Sequence, residues 1–171
     1  MAKIALEPWS EAGYELLVRL NAPRLTEHLG GPETAEQVRR RHERYLENAA
    51  DGEMLLVVFE HEAVGSVGYW PRHWGGLDVY ETGYGIVPEY QGRGFASAAL
   101  GLCAEYAARA AQEGSGRRWL HAFPSIHNAA SNAVCRKAGF EPAGECDLEY
   151  PPGRLIRVND WRLALTASPA G

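Results

Sequence analysis

The chain is poor in sulfur, with three cysteines and two methionines in 171 residues. Cys103, Cys135 and Cys146 are odd in number and far apart, which argues against both a disulfide framework and a zinc cluster, so no metal is expected. No apolar run approaches the length of a membrane span. Glu7 and Glu11 interrupt the beginning, where a secretion signal would carry its apolar core. Positive charge is outnumbered, 17 Lys and Arg against 22 Asp and Glu, for a net charge of −5. Without a concentrated basic face, nucleic acid is not an expected partner, and the balance mildly favours cationic substrates. There is no internal repeat, linker or low-complexity segment. These absences leave one ordinary domain over residues 1–171, large enough to bury a substantial core, with a cytoplasmic enzyme as the default class.

What is present is organised around Tyr84-Gly85-Ile86-Val87-Pro88-Glu89-Tyr90-Gln91-Gly92-Arg93-Gly94-Phe95-Ala96-Ser97. Residues 79–87 are rich in β-branched and aromatic side chains, and Pro88 cannot donate to a ladder, so a strand should end there. Gly92 and Gly94 remove two Cβ atoms where the backbone turns. The following helix presents Phe95, Ala99, Leu102, Cys103, Tyr106 and Ala110 on one face. A glycine turn feeding a helix N-terminus is a site for phosphate. The Gly-Lys-Ser/Thr ending of a nucleoside-triphosphate loop is missing. The dinucleotide fingerprint fits imperfectly, because Ser97 stands where its third small residue belongs. The spacing that fits is Gln91-x-x-Gly94-x-Ala96.

Around this centre, residues 3–6 read as a first strand and 11–20 as an amphipathic helix with Leu16, Leu17 and Leu20 inward. Asn21-Ala22-Pro23 interrupts it, and Leu25 and Leu29 continue an apolar face to a stop at Gly30-Gly31. Thr34 and Gln37 have capping-box spacing for a second helix bearing Val38, His42, Tyr45 and Ala49. Residues 54–60 and 63–70 form a hairpin about a turn at His61-Glu62. Residues 71–76 read as a loop carrying Arg72, His73 and Trp74. After the long helix, which ends at Gly114-Ser115-Gly116, come a strand over 119–123 and a short helix over 128–138. Two strands, 140–150 and 155–165, are joined by Pro151-Pro152-Gly153. The order β-α-α-β-β-β-α-β-α-β-β gives a mixed α/β sheet in one layer with helices packed on it.

The short helix carries the second motif, Asn128-Ala-Ala-Ser131 through Cys135 to Lys137-Ala138-Gly139-Phe140. Asn128, Ser131 and Cys135 fall near one side, at i, i+3 and i+7. Capping accounts for Asn128 and Gly139 but leaves the polar Ser131 unexplained. Gln91-x-x-Gly94-x-Ala96 resembles the pyrophosphate-binding motif of the GNAT superfamily of N-acetyltransferases. Asn-x-x-Ser ending in Lys-x-Gly-Phe resembles the coenzyme-A-proximal helix of that family, most closely of the RimJ/RimL type. Glu81-Thr82-Gly83-Tyr84 and Arg157-Val158-Asn159-Asp160-Trp161 resemble the same subgroup, so the likeness covers essentially the whole chain. It implies a single-domain GNAT fold, a mixed, largely antiparallel central sheet flanked by helices. Acetyl-CoA is the implied co-substrate.

The resemblance also implies roles. The main chain at Ile86 and Val87 would pair with the pantetheine arm, the N–H of Val87 polarising the acetyl carbonyl. Amides of Gln91, Gly92, Arg93, Gly94, Phe95, Ala96 and Ser97 would hold the pyrophosphate, with Arg93 adding charge at its rim. Asn128 and Ser131 would reach the pantetheine and the sulfur. An alkylammonium must lose a proton before it can attack, and Glu81 is the candidate base, directly or through water; a surface carboxylate is the alternative. His121 and His127 are rival bases, each also readable as structural or exposed. Many relatives carry a tyrosine as general acid where this chain has Cys135. Ser131 or Cys135 would donate instead, or neither, because a thiolate needs little help to leave.

The expected reaction is direct transfer of acetyl to a primary amine, a protein N-terminal α-amine by kinship with the RimJ/RimL type. A small amine or antibiotic is the alternative acceptor, since the same architecture serves both. The aromatic stretch from Trp70 to Trp74, with Tyr80 and Tyr84, suits an ammonium group or a peptide N-terminus, or is hairpin packing. A non-catalytic acyl-CoA-binding protein is a rival of another class, and similar proteins are commonly homodimers.

Overall fold

The computed structural model describes residues 3–47 and 51–165. A seven-stranded sheet, in the order β1-β2-β3-β4-β5-β7-β6, carries every other element. β1 (Ala5–Pro8) leads to α1 (Gly13–Leu20), a one-turn α2 (Pro23–Thr26), a 3₁₀ turn over Glu27–Leu29 and α3 (Ala35–Glu47). Next come β2 (Glu53–Phe59), β3 (Glu62–Trp74), β4 (Leu77–Ile86), a 3₁₀ turn at Pro88–Tyr90 and α4 (Phe95–Ala110). β5 (Trp119–Ala122), α5 (Ala129–Lys137), β6 (Glu141–Glu149) and β7 (Leu155–Ala164) complete the chain. All strand pairs are antiparallel except β4 with β5. The mixed, largely antiparallel sheet is as expected, and after the interruption at Pro23 the chain runs in short helical turns to the expected stop at Gly30. Among the described residues no helix is long and apolar enough to cross a membrane.

Local chemistry sets the boundaries. The Thr34 N–H donates to Gln37 Oε1 and the Gln37 N–H to Thr34 Oγ1, at 2.8 and 3.2 Å, the reciprocal cap expected at the start of α3. Val38 and His42 of α3 are buried; Ala49 lies outside the described residues. Asn128 Oδ1 accepts the Ser131 N–H at 3.1 Å, capping α5. At the other end of α5, Gly139 has φ +89° and the Phe140 N–H closes onto the Cys135 carbonyl at 3.0 Å.

Four expectations shift. The first strand begins at Ala5 rather than Lys3. The β2–β3 turn is Glu60-His61, one residue earlier than expected, and both residues have positive φ, at 49° and 68°. That is the two-residue turn whose twist suits a hairpin, built without glycine. Residues 71–74 are not loop: β3 continues to Trp74, pairing with β4 down to Leu77. Pro71 is tolerated because β2 has already ended opposite Tyr69, so no neighbour asks for its missing N–H. On α4 the buried face includes Leu100, Ala104 and Ala107, whereas Leu102 and Tyr106 are only half-buried. α4 packs between the sheet and α5, and so buries a wider arc than a single stripe.

Side chains alternate across a strand, which divides the two layers. Leu20 of α1 lies beside Gly85, and Ser131 of α5 meets Tyr84. α1, with α3 packed on it, therefore lies on one face of the sheet while α4 and α5 lie on the other. Tyr80, Val64, Val67, Leu100, Leu120 and Val158 are fully buried around this central strand.

Candidate active site

β4 pairs with β5 only at Tyr80–Leu120 and Glu81–His121. Beyond Glu81 the two strands part, and the gap passes from one face of the sheet to the other. The Val87 N–H donates to the Val64 carbonyl at 2.9 Å, so the odd-numbered residues of β4 bond to β3. By alternation, the N–H groups of Tyr84 and Ile86 face the gap. This corrects the expectation for Val87: its N–H is already used, its side chain is fully buried, and Ile86 is the residue whose main chain meets the gap. The Ile86 carbonyl accepts from Gln91 Nε2 at 2.9 Å, which ties the end of the strand to the glycine turn.

A cavity of about 1260 Å³ runs through the gap. Its first half is walled by Gln91, Gly92, Gly94, Phe95, Ala96 and Ser97 from the turn and by Asn128 and Ser131 from α5. Gly92 and Gly94 have φ of +76° and +80°, a region that L side chains avoid, and a Cβ on either would point into open space. The first amides of α4 are therefore presented to the cavity without side-chain cover. Arg93 does not line this wall. It folds back, with Nη2 donating to the Glu89 carbonyl at 3.3 Å and its guanidinium 5.0 Å over the Tyr90 ring.

The second half lies on the α1–α3 face. Gly83 and Gly85 leave that side of β4 bare, roofed by Trp70 and Leu20. Glu81 opens into this half with a side chain only 14% exposed. Its Oε2 accepts from the indole of Trp70, and Arg72 Nη1 reaches Oε1 at 3.3 Å. The Arg72 guanidinium lies in turn over the contacting rings of Trp74 and Phe123, 5.2 Å from each. Two donors thus fix the carboxylate while lone pairs remain for a further hydrogen bond. Farther out, Glu33, paired with Arg41, and Tyr45 from α3 face Tyr150 from the end of β6. Burial, then the Glu33 carboxylate, raises the Tyr150 phenol above its usual value. Both rival histidines stand apart. His121 Nδ1 is 2.6 Å from Asp160 Oδ1 with its ring stacked on Phe123, and His127 is exposed.

The α5 side holds an arrangement that the sequence did not reveal. Tyr84 crosses from β4 to α5, its hydroxyl 2.6 Å from Ser131 Oγ, 3.0 Å from the Ser131 carbonyl oxygen and 3.5 Å from Cys135 Sγ. Burial pushes the Tyr84 phenol far above its ordinary pKa and the Cys135 thiol up to about 11. Cys135 is fully buried and does not wall the cavity, which corrects its expected direct role: it touches Tyr84 instead. Asn132, behind Ser131, is structural, its Oδ1 accepting from Asn159 and Trp161 at 2.8 Å each.

Residues 3–141 match the acetyltransferase (GNAT) domain family, most of the chain. The protein belongs to this family and is an acetyltransferase. Among solved structures it is similar to RimL, the ribosomal L7/L12 α-N-protein acetyltransferase, in complex with coenzyme A. That likeness has TM-score 0.76 and 22% identity over 96% of this chain and 95% of that one. It is also similar to Mycobacterium smegmatis RimJ in complex with CoA-disulfide, with TM-score 0.74 and 18% identity over 94% and 81%. The aminoglycoside acetyltransferase AAC(6')-Ib in complex with coenzyme A aligns at TM-score 0.75 and 16% identity over 95% of each chain. No curated protein matches the chain in sequence.

Proposed function

We propose that the chain transfers acetyl from acetyl-CoA to a primary amine, and that the amine is the N-terminal α-amine of a protein. The observation that carries this reading is the gap between β4 and β5, with amides and hydroxyls at one end and a held carboxylate at the other. The residues present suit acetyl-CoA: bare amides at Gly92 and Gly94 for a pyrophosphate, and a free strand edge for the amides of pantetheine. When bound, acetyl-CoA supplies a thioester carbonyl open to attack by a neutral amine.

The protein's part is to hold and polarise. Ile86 N–H donates to the carbonyl oxygen as negative charge develops there. Glu81, fixed by Trp70 and Arg72, takes the proton of the incoming ammonium directly or through one water. Ser131 stands at the sulfur. The similarity to RimL, a ribosomal L7/L12 α-N-protein acetyltransferase, supports the choice of a protein N-terminus. Glu27, Glu33, Glu81 and Glu149 wall the acceptor half together with Arg24, Arg41, Arg44 and Arg72, so its charge is balanced; AAC(6')-Ib, the similar aminoglycoside acetyltransferase, is what keeps a small amine as the second reading.

The test is coenzyme A release across free-N-terminal peptides, polyamines, amino acids and aminoglycosides. Peptide turnover alone supports the first reading; turnover on one small amine replaces it with the second.

A further inference from the structure

We propose that Tyr84 is the positioning residue for the sulfur side of the site, directing the hydroxyl of Ser131 by a hydrogen bond that can reverse. This deepens the acetyl-transfer reading of the cavity and rests on it.

The phenol oxygen has one proton and three neighbours. The Ser131 carbonyl can only accept, and the Cys135 thiol, with its pKa up at about 11, is a donor at neutral pH. One hydrogen-bond set satisfies all three contacts: Tyr84 donates to the carbonyl, and both Ser131 Oγ–H and Cys135 S–H donate to the phenol oxygen. In that set the Ser131 proton is turned away from the cavity. In the other set Tyr84 donates to Ser131 Oγ, and the serine O–H is free to point into the cavity, where negative charge builds on the departing sulfur.

Reversal costs the bond to the carbonyl alone, and that carbonyl keeps its place in the ladder of α5. Burial holds the phenol protonated, so Tyr84 donates without becoming a tyrosinate. No covalent bond changes at Tyr84. The residue therefore assists departure of the sulfur from the central strand, although the helix has cysteine where many relatives have tyrosine.

Tyr84→Phe keeps the ring and removes only the hydroxyl, so the fold should survive. The experiment compares wild type, Tyr84→Phe, Ser131→Ala and the double variant, by steady-state kinetics on the best acceptor and by melting with and without acetyl-CoA. A roughly tenfold fall in kcat is expected for Tyr84→Phe, the worth of about one hydrogen bond. KM for acetyl-CoA and the acetyl-CoA melting shift should stay near wild type. Because Tyr84 acts through Ser131, the double variant should be no slower than Ser131→Ala alone. Unchanged kcat in Tyr84→Phe, or losses that multiply in the double variant, would overturn the inference and leave the acetyl-transfer reading intact. A wild-type protein with no acetyl-CoA melting shift would overturn that reading and the inference with it.

Discussion

Glu81 and Tyr84 lie three residues apart on β4 and reach opposite faces of the sheet, at the point where β4 and β5 separate. Glu81 is held on the α1–α3 face by Trp70 and Arg72, and Tyr84 on the other by Ser131. One strand therefore presents the proposed proton acceptor for the amine and the proposed hydrogen-bond partner on the leaving-group side, on either side of a single opening.

Replacing Glu81 with Gln keeps the shape and removes the proposed base. Acetyl-CoA should still raise the melting temperature as in wild type, while turnover at neutral pH falls about 100-fold or more. The loss should shrink as pH rises toward the amine's own pKa, about 8 for a peptide terminus, because the neutral amine then exists without help. Turnover equal to wild type at pH 7 would remove Glu81 from the reaction.

Gly94 has φ +80° and opens directly on the cavity. Gly94→Ala should cost about 1–2 kcal/mol from the left-handed backbone alone. Gly94→Glu adds bulk and like charge where the diphosphate is proposed to bind, and should abolish the acetyl-CoA melting shift. Normal binding by Gly94→Glu would mean that the turn does not hold the cofactor.

The buried thiols give a pH signature. Burial raises Cys135 to about 11 and Cys103 to about 12, both above the ordinary 9.0. The folded chain thus keeps these protons when the unfolded chain has released them. Their stabilisation is complete below pH 9 and is lost as pH climbs through the folded values. Melting temperature should accordingly fall between pH 9 and 11 and be insensitive to these groups below. In the native protein at pH 8 a thiol reagent should modify the partly exposed Cys146 and spare Cys103 and Cys135. Rapid labelling of Cys135 in the folded state would contradict its placement behind Tyr84.

Asn132 is buried, and its Oδ1 accepts from Asn159 and Trp161, fastening α5 to β7. Asn132→Ala should cost about 3 kcal/mol, since the buried Trp161 indole and the partly buried Asn159 amide lose their acceptor. For a chain of this size that corresponds to a melting temperature lower by roughly 6–12 °C.

Much of this was legible in the sequence because it is local. The glycine turn, the Asn128 and Thr34 caps, the Gly139 stop and the order of the main elements along the chain all follow from neighbouring residues, and each is present. The motifs also brought out most of the residues that wall the first half of the cavity. What was not legible depends on pairing between distant segments. Pro71 suggested a loop, and only the early end of β2 shows why β3 can run through it and carry Arg72 to Glu81. Val87 looked like the carbonyl-polarising residue until its pairing with Val64 fixed which main-chain groups face the gap. Tyr84 and Ser131 are 47 positions apart, and no periodicity within either element could have joined them.

The most direct measurement is mass-spectrometric detection of acetylation on a free-N-terminal peptide incubated with acetyl-CoA and wild-type protein, with the Glu81→Gln variant alongside. Acetyl on the α-amine with wild type, and about 100-fold less with Glu81→Gln, is the expected result. Wild-type protein that binds acetyl-CoA yet acetylates a small amine and no peptide would contradict the protein α-amine as acceptor. Equal acetylation by both proteins would contradict the role of Glu81.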